Sequence, residues 1–173
     1  MTCESREKIG YLGSAVFAGW VLTLVMVPRL ADLYGRSLVY RIGLCVLFFA
    51  FTAVMFTGSI NVMIVALFLC GACATCRMQV GYMVMLEYLP SDRHAFFSSL
   101  LWIIDSLVAL CGVVYFVFLS KNWLWFVLIG YILTVVGMIG SLLIPETPKY
   151  LMKVGKVAEF ERVMNKIAGL NRN

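Results

Sequence analysis

Long apolar runs alternate with short polar interruptions along this chain. Runs at 9–30, 38–57, 60–86, 95–119 and 123–144 are mainly apolar, and each reaches the roughly 20 residues that a helix needs to cross ~30 Å of hydrocarbon. The interruptions are brief: Gly58-Ser59, Ser120-Lys121-Asn122, the charged stretch Pro28 to Arg36, and Glu87 to His94. Short connections make consecutive helices antiparallel neighbours. The expected fold is therefore all-α, a polytopic membrane helical bundle of five transmembrane helices over 1–145, followed by a tail over 146–173. The first run follows a polar lead, is longer than the apolar core of a cleavable signal, and lacks a small-x-small cleavage site, so it reads as a span.

Composition agrees with the pattern. Of 173 residues, 62% are hydrophobic and 13% charged, with a mean hydropathy of +0.95, whereas a soluble domain is about half apolar. The net charge of +5 is distributed unevenly rather than clustered for nucleic acid. Arg29, Arg36, Arg41, Arg93, Lys149, Lys153 and Lys156 fall on one face of a five-span topology, against Arg6, Lys8 and Lys121 on the other. Positive residues stay on the side from which insertion occurs, which places the amino terminus outside and the carboxyl tail inside. Lipid is the expected partner and nucleic acid is not.

Cys70, Cys73 and Cys76 recur every third residue, but Val80 stands where an iron-sulfur run would place its fourth thiolate. With Gly71, Ala72, Ala74 and Thr75 they read as a small-residue seam that lets another helix approach closely. Neither a metal nor a cofactor is implied. No nucleophile, base and metal set converges to suggest an enzyme, so no catalytic residue is assigned, and His94 reads as a solvated or interfacial side chain.

Arg77 and Asp105 are the charges deep inside predicted spans. Each lies about ten residues from the same end of its helix, so at 1.5 Å per residue both sit ~15 Å deep on antiparallel neighbours. An unpaired charge there is costly. An intramembrane ion pair between them is expected; the alternatives are a proton or cation site at Asp105 regulated by Arg77, and contact with a partner chain or lipid headgroup.

In the charged stretch, Asp32 is placed to cap or stabilise the amino end of the next helix, Gly35 to permit a reverse turn, and Arg36 to reach a carboxylate at another helix end. Leu30-Ala31-Asp32-x-x-Gly35-Arg36 resembles the loop signature between the second and third helices of the major facilitator superfamily, Gly-x-Leu-Ala-Asp-Arg-x-Gly-Arg-Lys. Pro28, Leu33 and Ser37 depart from it. Gly81-Tyr82 followed by Glu87-x-x-Pro90-x-x-Arg93 resembles the inner loop after the fourth helix of that family's sugar and organic-ion porters, one residue shorter between Pro90 and Arg93. Pro145-Glu146-Thr147-Pro148-Lys149-Tyr150-Leu151 resembles the Pro-Glu-Ser-Pro-Arg-Trp/Phe-Leu signature after their sixth helix.

The tail carries its own punctuation. Thr147 is an N-cap candidate with Pro148 at the first helical position, and Gly155 a stop before a second helix near Val157. Val157, Phe160, Val163, Met164 and Ile167 share one face of that amphipathic helix, and Gly169 is read as its end. It is expected beneath the bundle against the charged loops, as the resemblance implies, or else flat on the lipid surface.

The resemblance covers the second to sixth helices and the first cytoplasmic helix. It implies that a first helix and a second six-helix half are missing, together with the sugar-coordinating residues of that half. In proton-coupled sugar porters the coupling carboxylate lies on the first helix and its Arg partner on the fourth, at a position that Leu67 occupies here. On this basis the chain does not transport alone. The expected role is a structural or accessory subunit of a larger membrane complex, with other membrane subunits as partners, in an organelle (mitochondrial) inner membrane where such assemblies are common. The alternative is one part of a split or oligomeric secondary transporter for sugars or organic ions, with its small-molecule substrate left open.

Overall fold

The computed structural model describes residues 6–119 and 121–170. These residues form α1 (Arg6–Tyr34), α2 (Arg36–Phe56), α3 (Ile60–Thr75), α4 (Gly81–Tyr88), α5 (His94–Val114), α6 (Trp123–Leu143), α7 (Pro148–Val154) and α8 (Val157–Leu170), with no strand among them. A π-helical turn, Cys76–Val80, joins α3 to α4 in one continuous span. Another, Tyr115–Leu119, extends α5. Five helical stretches are long and apolar enough to cross a membrane: Glu7–Tyr34, Arg36–Phe56, Ile60–Tyr88, Ser91–Leu119 and Trp123–Leu143.

The charged stretch is less of a loop than its composition suggests. α1 continues through Pro28 to Tyr34, and Gly35 alone breaks the helical path, at φ 110°. A β-carbon there would stand 3.0 Å from the Glu146 carboxylate and 3.3 Å from the Tyr150 ring. Gly35 is thus required twice, by its backbone angle and by the close approach of the tail.

Small residues set the distance between spans. Gly19 on α1 lies against the backbone carbonyl of Phe68, and Gly71 on α3 against that of Val16, so closely that a β-carbon at either position would collide. Thr23 pins the same seam: its hydroxyl lies 2.9 Å from that of Thr75 and donates to the Gly19 carbonyl at 2.8 Å. Gly43 makes room for Cys76, and Gly81 for the ring of Tyr40. With little hydrophobic drive between helices in lipid, such close approach and interhelical hydrogen bonding supply the association energy. Cys73, 5% exposed, and the glycines give the small-residue seam of the third span a packing role.

A buried cluster of Val27, Ala31, Val80 and Val84 ties α1 to the third span, with Val39, Tyr40, Cys76 and Tyr88 packed around it. α6 joins α2 through stacked Phe48 and Tyr131 rings, 5.1 Å between centroids. α5 is different. Of its residues only Gly112 is buried, against the ring of Phe126, and Trp102 is 64% exposed.

In the tail, Pro148 opens α7 and Gly155, at φ 77°, closes it, with Lys156 N–H donating to the Leu151 carbonyl at 3.0 Å. α8 starts at Val157 but passes through Gly169 to Leu170. A glycine inside a helix costs only ~1 kcal/mol relative to Ala, too little to end it alone. The side chain of Ile167 lies outside the described residues.

Gly71→Ala is expected to force α1 and α3 apart and cost about 1–3 kcal/mol, as overpacking does. Gly130→Ala, with nothing within 4 Å of the added carbon, is expected to be neutral or slightly stabilising. Thermal unfolding of both variants in detergent checks this; equal melting temperatures would remove the seam's structural importance.

Candidate functional site

The ends of α1, α4, α6 and α7 and the start of α2 meet at one end of the bundle, and their loose backbone groups are satisfied across elements. α2 has no side-chain cap of its own. The Glu146 carboxylate supplies one, its Oε1 accepting from Ser37 N–H at 2.8 Å. An anion at a helix N-terminus is favoured by the helix dipole as well as by the bond. The expectation that Asp32 caps α2 is corrected: Asp32 lies within α1, and its carboxylate accepts from Arg36 Nη2 at 2.9 Å.

Arg36 is the centre of the charge cluster. Besides Asp32, its Nη1 donates to Glu87 Oε1 at 2.5 Å, joining the α1–α2 turn to α4. The Arg36 and Glu87 side chains are 16% and 12% exposed, whereas Asp32 is 52% exposed. The Glu87 contact therefore dominates, because solvent-facing pairs contribute little. Glu87 Oε2 is buried without a protein partner, so this carboxylate leans on Arg36 for its compensation.

Opposite charges serve the carboxyl ends of helices. Arg41 donates to the carbonyls of Ser141 and Ile144, at 3.2 and 2.5 Å, closing α6. Lys153 and Tyr150 donate to the carbonyls of Asp32 and Leu33, at 3.3 and 3.4 Å, closing α1. Ser37 Oγ and the Tyr88 hydroxyl both donate to the Pro145 carbonyl, at 2.9 and 2.8 Å.

Other expected site residues fare differently. Pro90 precedes the short 3-10 turn Ser91–Arg93. Arg93 and Lys149 make no side-chain ion pair among the described residues, and Lys153, not Lys149, reaches α1. Thr147 does occupy the N-cap position of α7, but its hydroxyl makes no cap bond and is buried without a partner. His94 closes its turn, Nε2 donating to the Leu89 carbonyl at 2.9 Å.

A groove of ≈ 1110 Å³ opens between the third span and α5. Arg77, Gln79, Tyr82, Trp102 and Asp105 line it, with Tyr40 from α2 and Val163 from α8. The expected Arg77–Asp105 ion pair is not formed: the two residues line the same groove, and no salt bridge joins either of them to a described residue. Equal depth fixed only one coordinate, and the groove intervenes in the others. Tyr82 and Ser98 hydroxyls, 2.9 Å apart, link α4 to α5. Val163, 8% exposed, places one face of α8 against this end of the bundle. Among the described residues, no three His, Cys, Asp or Glu side chains converge as metal ligands.

Ser37, Arg41 and Tyr88 carry bonds that sequence reasoning did not assign. Arg41 had a signal, being a basic residue one turn into a span; the other two had none.

The five helical stretches long and apolar enough to cross a membrane define an integral membrane protein of the α-helical polytopic class. Residues 4–170 match the sequence model described as Major Facilitator Superfamily, and the chain belongs to that superfamily. It is 25% identical over 94% of its length to "Putative metabolite transport protein YaaU" of Escherichia coli (strain K12). It is 27% identical over 95% to "Solute carrier family 22 member 15-like" of Xenopus laevis, and 27% over 91% to "Niacin transporter NiaP" of Acinetobacter baylyi. The chain spans 38%, 34% and 36% of these relatives' lengths respectively.

Arg36→Met is expected to strand the Glu87 carboxylate and cost about 3–5 kcal/mol. Arg36→Met with Glu87→Leu should recover most of it, and Asp32→Asn should cost below ~1 kcal/mol. A double-mutant cycle read by denaturant unfolding in micelles checks this; additive single costs would show that Arg36 and Glu87 are uncoupled.

Proposed function

We propose that this chain forms one wall of the solute pathway of a secondary transporter for sugars or organic ions, completed by further helices of the same or another polypeptide. The groove carries this reading: Arg77, Gln79, Tyr82 and Asp105 line a cavity within the length of the spans, where polar side chains are costly and mark solute and ion routes. The three relatives described above are named as transport proteins, which supports the reading.

In such transporters one body rocks against another about a midplane site. The cross-capped end suits this chain to move as one body, because displacing α2, α6 or α7 alone would strip partners from several helix termini. The basic excess at that end supports an inner-side location for it, with the amino terminus outside. An accessory subunit of a larger membrane complex is the second reading. The bare face of α5 favours it, since an exposed wall of that length suits a neighbouring subunit.

Gln79→Cys in lipid nanodiscs is expected to label with a membrane-impermeant maleimide well above the background of the native cysteines, as a water-filled groove requires. Labelling at background would remove the pathway reading. Mass spectrometry of natively co-purifying polypeptides separates the two roles: porter-like helices favour a transporter, and unrelated subunits of a large assembly favour the accessory role.

A further inference from the structure

We propose that the cross-capped end of the bundle binds a water between Glu87 and Thr147, which joins the third span to the tail where no direct bond between these two residues does. Nothing in this depends on the groove or on transport.

Among the described residues, Glu87 Oε2 and the Thr147 hydroxyl are the buried side-chain polar atoms without a hydrogen-bond partner. A buried polar group left unpaired is costly, so each calls for one. Thr147 is 0% exposed and the Glu87 side chain 12%. The contacts around them bring both to one place. Arg36 bonds Glu87, Ser37 bonds the Glu146 carboxylate and the Pro145 carbonyl, and Tyr88 donates to the carbonyls of Pro145 and Glu146. Glu87 adjoins Tyr88, and Thr147 adjoins Glu146.

The chemistry of the two atoms selects the ligand. A carboxylate oxygen accepts, whereas a hydroxyl both donates and accepts. Since the two do not bond each other, the group between them must donate to Glu87 Oε2 while pairing with the hydroxyl. Water does both in one small volume. An ion fits less well. Among the side chains bonded at this end, Asp32, Glu87 and Glu146 are balanced by Arg36, Arg41 and Lys153, so an added charge would unbalance a matched set in a poorly solvated place. A third partner is at hand in the Glu146 carbonyl, which accepts from the Tyr88 hydroxyl at 3.3 Å and has a second lone pair. Three bonds are usual for a buried water. The link carries the Asp32–Arg36–Glu87 series on to the start of α7.

The test uses the full chain and two readouts. A structure in lipid nanodiscs, at a resolution that shows ordered solvent, is expected to place a water within hydrogen-bonding distance of both Glu87 Oε2 and Thr147 Oγ1. A direct bond between the two oxygens, an ion between them, or no solvent there overturns the proposal. Denaturant unfolding in micelles reads the same link energetically. Thr147→Val keeps the branched shape, and the hydroxyl has no cap bond to lose. It is expected to raise the unfolding equilibrium constant about tenfold, or ~1.4 kcal/mol, whereas Thr147→Ser should stay near the native value. In the background of Arg36→Met with Glu87→Leu the same Thr147→Val change should be neutral or stabilising, because the hydroxyl has then lost its water. An equal cost in both backgrounds, or no cost in the native one, overturns the proposal.

Discussion

The structure depends on one constraint: every helix that ends near lipid must have its loose amides and carbonyls satisfied by something other than water. This chain meets it at one end of the bundle by lending side chains from one helix to the terminus of another. Glu146, just past α6, caps α2; Arg41, on α2, closes α6; Tyr150 and Lys153, on α7, close α1. Glu146, Arg41 and Lys153 follow the helix dipole, a carboxylate at an amino end and cations at carboxyl ends, whereas Asp32, Arg36 and Glu87 stand against it and compensate one another. Arg36 then ties the α1–α2 turn to Glu87 at the foot of the third span. Because each donor belongs to a different element from its acceptor, the ends cannot loosen one at a time.

α5 stands outside this arrangement. It touches its neighbours mainly through Gly112 against Phe126 and through the Tyr82–Ser98 hydroxyls. An element with so little burial belongs to the low end of the range of local stabilities. The molecule therefore combines a cross-braced body of α1, α2, the third span, α6 and α7 with a thinly held wall, and the groove lies between the two.

Much of this was legible in the sequence, and the remainder was not for a specific reason. The spans followed from apolar run length, and Pro148 and Gly155 punctuated α7 as local chemistry dictates. Local rules failed where the partner is remote: Asp32 is near α2 in sequence, yet the cap comes from Glu146, 109 residues beyond Ser37. Counting along the spans puts Arg77 and Asp105 at one depth, but such a count says nothing about where the groove runs between their helices. Gly169 was read as a stop because glycine often is one, and the helix absorbed it. The Gly19 and Gly71 approach is likewise pairwise, so neither position reveals its partner until the two helices are placed.

The residues that depart from the family's loop pattern show what the retained ones do. Leu33 stands where the pattern has Arg and is 64% exposed; its carbonyl, which any residue would supply, is what accepts from Tyr150. Pro28 lies inside α1, where the pattern's Gly would offer flexibility that an unbroken helix does not use. Ser37 replaces a basic residue and takes a different task, buried at 3% with its amide on Glu146 and its hydroxyl on Pro145. A longer cation at that position would need room that the Pro145–Glu146 approach has already taken. Asp32, Gly35 and Arg36, which match the pattern, are bonded to the neighbouring elements or closely approached by them. Within this chain the signature is therefore mechanical: Asp32 and Arg36 join the end of α1 to the start of α2, and Arg36 ties that turn to Glu87 at the end of α4.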